Sequence, residues 1–116
     1  MSIVAERAVI VTNSGGVDQV TVRAGGCIIR GIRLEHGTLA AGTDITITEQ
    51  PSGDAILTLT NQAADGRWAP TAPGQDDAGA DVAGSALPVA VFDRIQVAVA
   101  QGGDTKTGVV TLLLER

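Results

Sequence analysis

Apolar side chains recur at every second position in short segments of this chain. Ile45 and Ile47 alternate with polar residues, and Leu57 and Leu59 alternate with threonines in the same way. A period of two turns one side of a strand toward a core and the other toward solvent. Clusters of Gly, Asp, Asn and Pro separate these segments, and helical signals are poor throughout. The pattern therefore predicts an all-β chain built from antiparallel strands.

Eight strands are predicted, and they cover residues 5–12, 19–23, 27–34, 44–48, 55–61, 88–92, 95–100 and 108–115. Turn-forming sequences at 13–16, 50–54 and 101–104 predict three hairpins, because their Gly, Asn, Asp and Pro residues suit tight turns. About seven or eight short strands at this spacing fit an antiparallel β-sandwich or a jelly-roll-like barrel. We favour the sandwich, and the sheet topology stays open at this stage.

One segment, residues 62–87, interrupts the strand pattern. It is rich in Ala, Gly, Asp and Pro and contains few strand-forming residues, so it is predicted to be one long loop. Loops of this length inside a compact domain are generally functional or become ordered only against a partner. A solvated linker is the alternative interpretation. The sequence does not distinguish the two, nor does it show whether the loop is ordered without a partner.

Length and composition point to one domain, residues 1–116, that makes protein contacts. The chain has 116 residues, of which 44% are hydrophobic, and this is enough apolar material for a single core. Trp68 and Phe92 are its only aromatic residues, which disfavours stacking against sugars or single-stranded nucleic acid. Eight basic residues stand against 13 acidic ones, and the net charge of -5 disfavours binding to phosphate backbones. No nucleic-acid partner is expected.

The N-terminal sequence and the lengths of the apolar runs indicate where in the cell the protein is expected. Charge interrupts the first apolar stretch after a few residues, so no signal peptide is expected. No apolar run approaches the roughly 20 residues of a membrane span. The single cysteine, Cys27, has no intramolecular disulfide partner. We therefore expect a soluble protein that is made in the cytoplasm and has no membrane contact.

The chain contains a histidine, a cysteine and a glycine pair, which are residue types found in catalytic and ligand-binding sites. Here they lack the neighbouring groups that such sites need. His36 is the only histidine, and no serine lies in a G-x-S-x-G sequence, so His36 is expected to be a solvated turn residue. Cys27 lies in a strand-like run and is expected to be a small buried side chain. Gly25 and Gly26 lack the strand-to-helix context of a phosphate-binding loop. We expect no enzymatic activity and no cofactor.

The predicted loop contains the candidate partner-binding residues. Its aspartates are Asp76, Asp77 and Asp81, with Asp65 earlier in the same loop. They do not have the spacing of an EF-hand loop, so a solvated acidic loop is favoured over a metal site. The same negative charge would complement a basic patch on a partner. Trp68 is interpreted as either an exposed interface anchor or a lid over one end of the core. The candidates are Arg67, Trp68, Pro70, Asp76, Asp77 and Asp81.

Several segments together resemble a known group of proteins. They are the sequences at 42–47, 55–61, 67–70 and 87–89, followed by 95–103 and 109–115. Over about the C-terminal two thirds of the chain, this arrangement is similar to small head-decoration (cement) proteins and minor structural proteins of tailed-bacteriophage virions. The matching stretches are mostly strand and turn patterns.

The resemblance implies a structural role in a virion. Such a protein binds the outer face of the capsid, commonly as a trimer at local threefold positions, and bridges neighbouring major capsid subunits. The expected partners are the major capsid protein and further copies of this chain, and the expected location is the capsid exterior. Two alternatives remain: a tail or head-tail connector component, and a small carbohydrate-binding β-module.

Overall fold

The computed structural model describes residues 2–72, 78, 83 and 86–116. Within these residues the chain forms eleven β-strands and no helix, which confirms the all-β prediction. The strands are β1 (Ile3–Val11), β2 (Asp18–Arg23), β3 (Cys27–Glu35), β4 (Thr43–Gln50), β5 (Ala55–Gln62), β6 (Gly66–Trp68), β7 (Thr71–Ala72), β8 (Leu87–Pro88), β9 (Ala90–Val91), β10 (Arg94–Ala100) and β11 (Thr107–Glu115).

Two antiparallel sheets make up most of the fold. The first has the strand order β1-β11-β3-β6, and β9 pairs with the beginning of β3 beside β6. The second has the order β2-β10-β4-β5. The short strands β7 and β8 pair separately. All pairings are antiparallel, so the architecture agrees with the sandwich that the sequence favours.

The hydrophobic core lies between the two large sheets. Alternation along each strand directs aliphatic side chains inward, and both central strands, β10 and β11, contribute three fully buried residues or nearly so. The first sheet supplies Ala8, Ile10, Cys27, Ile29, Ile32, Leu34, Val110, Leu112 and Leu114, and the second supplies Ile45, Ile47, Ile95, Val97 and Val99. Val20, Val22, Leu57 and Leu59 pack at its margin.

Two of the three predicted hairpins are wrong. Only the turn at 50–54 joins paired strands, β4 and β5. The turn at 13–16 carries the chain from β1 in the first sheet to β2 in the second, and the turn at 101–104 carries it from β10 back to β11. Turn-forming residues reverse the chain in both cases. They do not determine whether the next strand joins the same sheet or the opposite one.

The predicted loop at 62–87 is also corrected in its described part. Strand β6 adds to the edge of the first sheet, and β7 and β8 pair with each other inside the same segment. The strand predicted at 88–92 divides into β8 and β9, and Phe92 lies in the turn that follows. These strands have two or three residues each, which is too short for a period of two to show in the sequence.

Candidate interaction surface

The outward side of the first sheet carries an unusual mixture of arginine and aliphatic side chains. We call this surface the arginine face. Its residues are Ile3, Ala5, Arg7, Val9 and Val11 of β1, Ile28, Arg30, Gly31, Arg33 and Glu35 of β3, Arg67 of β6, and Thr107, Val109, Thr111, Leu113 and Glu115 of β11. They face outward because they alternate with the buried residues of the same strands, except at Arg30 and Gly31, where an irregularity in the pairing of β3 with β11 leaves two successive residues on this side.

Strand register aligns three arginines in one row across this face. Arg67 lies opposite Arg33 in the neighbouring strand, Arg33 lies opposite Thr111, and Thr111 lies opposite Arg7. Directly opposed residues on antiparallel strands project to the same side of a sheet. The row, named the arginine row, therefore crosses all four strands near the middle of the face.

Aliphatic residues border the arginine row on both sides. On one side Val9 lies opposite Val109, and on the other Leu113 lies between Ala5 and Gly31. Val9 is 55% exposed, which is unusual for a valine in a paired strand. This side of the sheet therefore exposes apolar area next to positive charge.

A depression of about 380 Å³ lies beside the arginine row, and its lining includes Ala5, Gly31, Arg33, Arg67, Thr111 and Leu113. It exists because Gly31 has no side chain and Ala5 has a small one, so the surface is low between Leu113 and the arginines. Its floor is apolar and its rim carries two guanidinium groups.

Ion pairing leaves part of this positive charge without a partner. Arg33 pairs with Glu35 at 3.2 Å, and both side chains are about half exposed. Arg30 pairs with Glu115, whose side chain is nearly buried. Within the described ranges, neither Arg7 nor Arg67 makes an ion pair. The arginine face holds four of the eight basic residues and two of the 13 acidic ones, so it is positive on an acidic chain.

The outward side of the second sheet has a different character. Thr58 lies opposite Thr46, Thr48 lies opposite Gln96, and Gln96 lies opposite Thr21. These side chains are neutral and polar. Arg23 and Arg94 lie opposite each other at one end of this side, where Arg94 pairs with Asp93, and Asp44 lies at the other end. The large aliphatic residues of these strands point into the core. A surface of this kind is well solvated. The two outer sides of the sandwich therefore differ in their capacity to bind another protein.

The structure places the candidate residues predicted from sequence in different surroundings. Arg67 lies on the arginine face, while Pro70 is buried. Trp68 is partly buried and packs against the core, which agrees with the lid interpretation better than with an exposed anchor. A Cβ at Gly66 would lie 2.5 Å from the Trp68 ring, and only glycine therefore fits under it. The acidic candidates Asp76, Asp77 and Asp81 lie outside the described residues.

His36 is not the solvated turn residue that the sequence predicts. It is 8% exposed, and its Nε2 is 2.8 Å from the carbonyl oxygen of Gln62. Its backbone N–H donates to Oδ1 of Asp65 at 2.7 Å. These two bonds connect the residue after β3 to the end of β5 and to the turn between β5 and β6. His36 and Asp65 thus hold β6, with Arg67, against the edge of the first sheet.

Cys27 agrees with its prediction as a small buried side chain. It is 6% exposed at the beginning of β3. Burial raises the pKa of its thiol above the ordinary value; the positive charge of Arg116 opposes the shift and the negative charge of Glu49 adds to it. The neutral thiol is therefore favoured in the folded protein.

We expect iodoacetamide to alkylate Cys27 much more slowly in the folded protein than in the urea-unfolded chain at about pH 8, because the attacking species is the exposed thiolate. The raised pKa also means that this thiol stabilises the fold below its unfolded pKa, and that this contribution is lost as the pH rises through its folded pKa. Mass spectrometry of timed samples measures the labelling. Equal rates in both states would contradict the buried position.

Phe92 is an exposed residue that the sequence did not single out. Its side chain is 82% exposed in the turn before β10, and its backbone N–H donates to Glu49 Oε2 at 2.8 Å. An exposed aromatic ring is a frequent anchor at protein interfaces. Its placement within a predicted strand concealed this exposure, because a strand phenylalanine is normally buried.

The described residues contain no group of three or more His, Cys, Asp or Glu side chains placed to hold a metal ion. Within the same ranges, no helix is long and apolar enough to cross a membrane. No protein-family model matches the chain, and a search of curated proteins finds no significant match.

Proposed function

We propose that this chain is a structural protein of a tailed-phage virion, a capsid-decoration protein that binds the outer face of the head and bridges neighbouring major capsid subunits. The observation that supports it best is the difference between the two outer sides of the sandwich. The arginine face combines exposed Val9 and Leu113 with Arg7 and Arg67, which make no ion pair with any residue that the structure describes. Arginine and aliphatic residues around a shallow depression are typical of protein interfaces.

The size of this face suits many weak attachments better than one strong contact. Strands about 4.8 Å apart, with nine residues in β1, β3 and β11, cover roughly 500 Å². A specific stable interface buries about 800 Å² on each partner. A protein that decorates a capsid gains binding strength from many simultaneous contacts on one particle. The second sheet, whose outward side is mostly polar, would then face solvent.

Self-association belongs to the same proposal. Strand β1 lies at the edge of the first sheet and pairs on one side only, with β11, within the described part of the chain. Such an edge accepts a strand from another molecule, here a second copy or a capsid subunit. We expect a homotrimer, as the resemblance to decoration proteins implies.

Two other functions make different predictions. A tail or connector protein would use the same face but be present in few copies. A carbohydrate-binding module needs an aromatic platform. Trp68, the candidate for that role, is half-buried against the core, and Phe92 is a single exposed ring. The decoration proposal requires neither a ring platform nor a catalytic group.

Purified particles of the phage that encodes this chain would test the proposal. Quantitative mass spectrometry is expected to find on the order of hundreds of copies per particle, as icosahedral decoration requires. About six or twelve copies would instead indicate a tail or connector component, and absence from the particle would refute the virion role.

Two matched variants test which face binds the particle. Val9→Glu places a carboxylate on the arginine face, and Thr58→Glu places one on the second sheet. Because Val9 is the buried contact in the proposed interface, only Val9→Glu is expected to abolish rebinding to particles stripped of this protein. Equal binding by both variants would rule out the arginine face as the attachment surface.

A further inference from the structure

We infer that the arginine row binds an extended, acidic segment of a partner protein, with carboxylates at alternate positions facing the row. This inference rests on the proposed function and specifies the chemistry of the partner. It starts from Arg7 and Arg67, which lie at opposite ends of the row and make no ion pair within the described residues.

The spacing of the arginine row determines the length of the segment. Four neighbouring strands span about 14 Å from Arg67 to Arg7, since adjacent strands lie about 4.8 Å apart. An extended chain rises about 3.3 Å per residue, so it crosses the row in about five residues. Side chains at alternate positions point the same way, about 7 Å apart, and three carboxylates would therefore cover the row.

The chemistry of the row favours carboxylates. Guanidinium groups bind carboxylates through two parallel hydrogen bonds, and Thr111, between Arg33 and Arg7, adds a hydroxyl donor. The existing Arg33–Glu35 pair is half exposed, so exchanging it for a partner's carboxylate costs little. Arg33 can therefore contribute to the site together with Arg7 and Arg67.

The surroundings of the row favour a protein over a nucleic acid or a free anion. The depression over Gly31 is lined in part by Leu113 and Ala5 and lies beside the row, so it accepts an aliphatic side chain of the partner that flanks the acidic segment. A phosphate backbone has no apolar group to place there. The negative charge of the whole chain also repels a polyanion with many phosphates, whereas a short segment meets only the positive row.

Chemical-shift titration of the full-length protein by NMR tests this site directly. The probe is a capped pentapeptide with glutamate at its first, third and fifth positions and valine at the other two. Its control replaces each glutamate by lysine. We expect the acidic peptide alone to shift the amides of Gly31, Arg33, Arg67, Thr111 and Leu113, with affinity that falls at high salt.

Arg67→Glu is expected to weaken binding of the acidic peptide about tenfold, because a carboxylate then repels the probe. Arg23→Glu is the matched control, since it changes the net charge equally at an exposed position of the second sheet. It is expected to leave the affinity unchanged within about twofold. Arg7→Glu, at the other end of the row, repeats the test if Arg67→Glu unfolds the protein.

Three results would overturn the inference. They are no shift with the acidic peptide, equal shifts with the lysine peptide, and tighter binding of inorganic phosphate or a short DNA duplex to the same residues. The particle experiment separates this inference from the proposed function. Many copies on the particle without peptide binding refute the inference alone, and peptide binding by a protein absent from particles refutes the virion role alone.

Discussion

Leu112→Ala is expected to lower the free energy of unfolding by about 3 kcal/mol. Leu112 is fully buried in β11, which lies between β1 and β3 in the first sheet. Truncating it removes apolar contacts and leaves a cavity that paired strands on both sides prevent from closing. Urea unfolding followed by the fluorescence of Trp68, the only tryptophan, measures the change.

The neighbouring residue in the same strand supplies the control. Leu113 points outward onto the arginine face and is 39% exposed. Leu113→Ala removes the same atoms from a half-solvated position, and we expect it to cost less than about 1 kcal/mol. A similar loss for both variants would mean that the first sheet does not bury the side that the strand pattern assigns to the core.

Gly37→Ala is expected to destabilise the protein by about 3 kcal/mol. Gly37 has a φ of +60°, and a Cβ there would lie 2.4 Å from the carbonyl oxygen of Thr107. That oxygen cannot withdraw easily, because it accepts a hydrogen bond from the Thr38 N–H at 2.9 Å. The variant would therefore separate the turn after β3 from the start of β11.

Gly25→Ala is the matched control for this second prediction. Gly25 has the same φ of +60°, but a Cβ there meets nothing within 4 Å. Alanine at this position is expected to lower the free energy of unfolding by only about 1 kcal/mol, because the positive φ is its only penalty. The difference between the two variants in urea unfolding isolates the steric clash. Equal losses would show that backbone conformation alone requires glycine at position 37.

The functional surface was only partly predictable. Arg67 was singled out from sequence, but Arg7 and Arg33 were not, although both occupy outward positions of predicted strands. The alternation along each strand predicts which way a side chain points, but only within that strand. The arginine row depends on the register among four strands that are far apart in sequence, and no local pattern encodes that register.

His36 and Phe92 are two further residues whose exposure could not be predicted from the local sequence. A lone histidine at a strand end is usually solvated, yet the end of β5 supplies the Gln62 carbonyl to the His36 ring, and the turn that follows supplies Asp65 to its backbone. A phenylalanine after an apolar run is usually buried, yet Phe92 falls in the turn that moves the chain between sheets. Long-range packing decided the exposure of both residues.

The sequence by itself determined that this protein is all-β, which sides of β4 and β5 pack on the core, and that Cys27 is a core residue, because a period of two and residue polarity act within a few neighbouring positions. Only the tertiary structure decided which strands pair, that two of three predicted hairpins cross between sheets, and that three arginines share one row. Strand order and register depend on contacts between distant segments, and these exist only after both sheets have closed over one core.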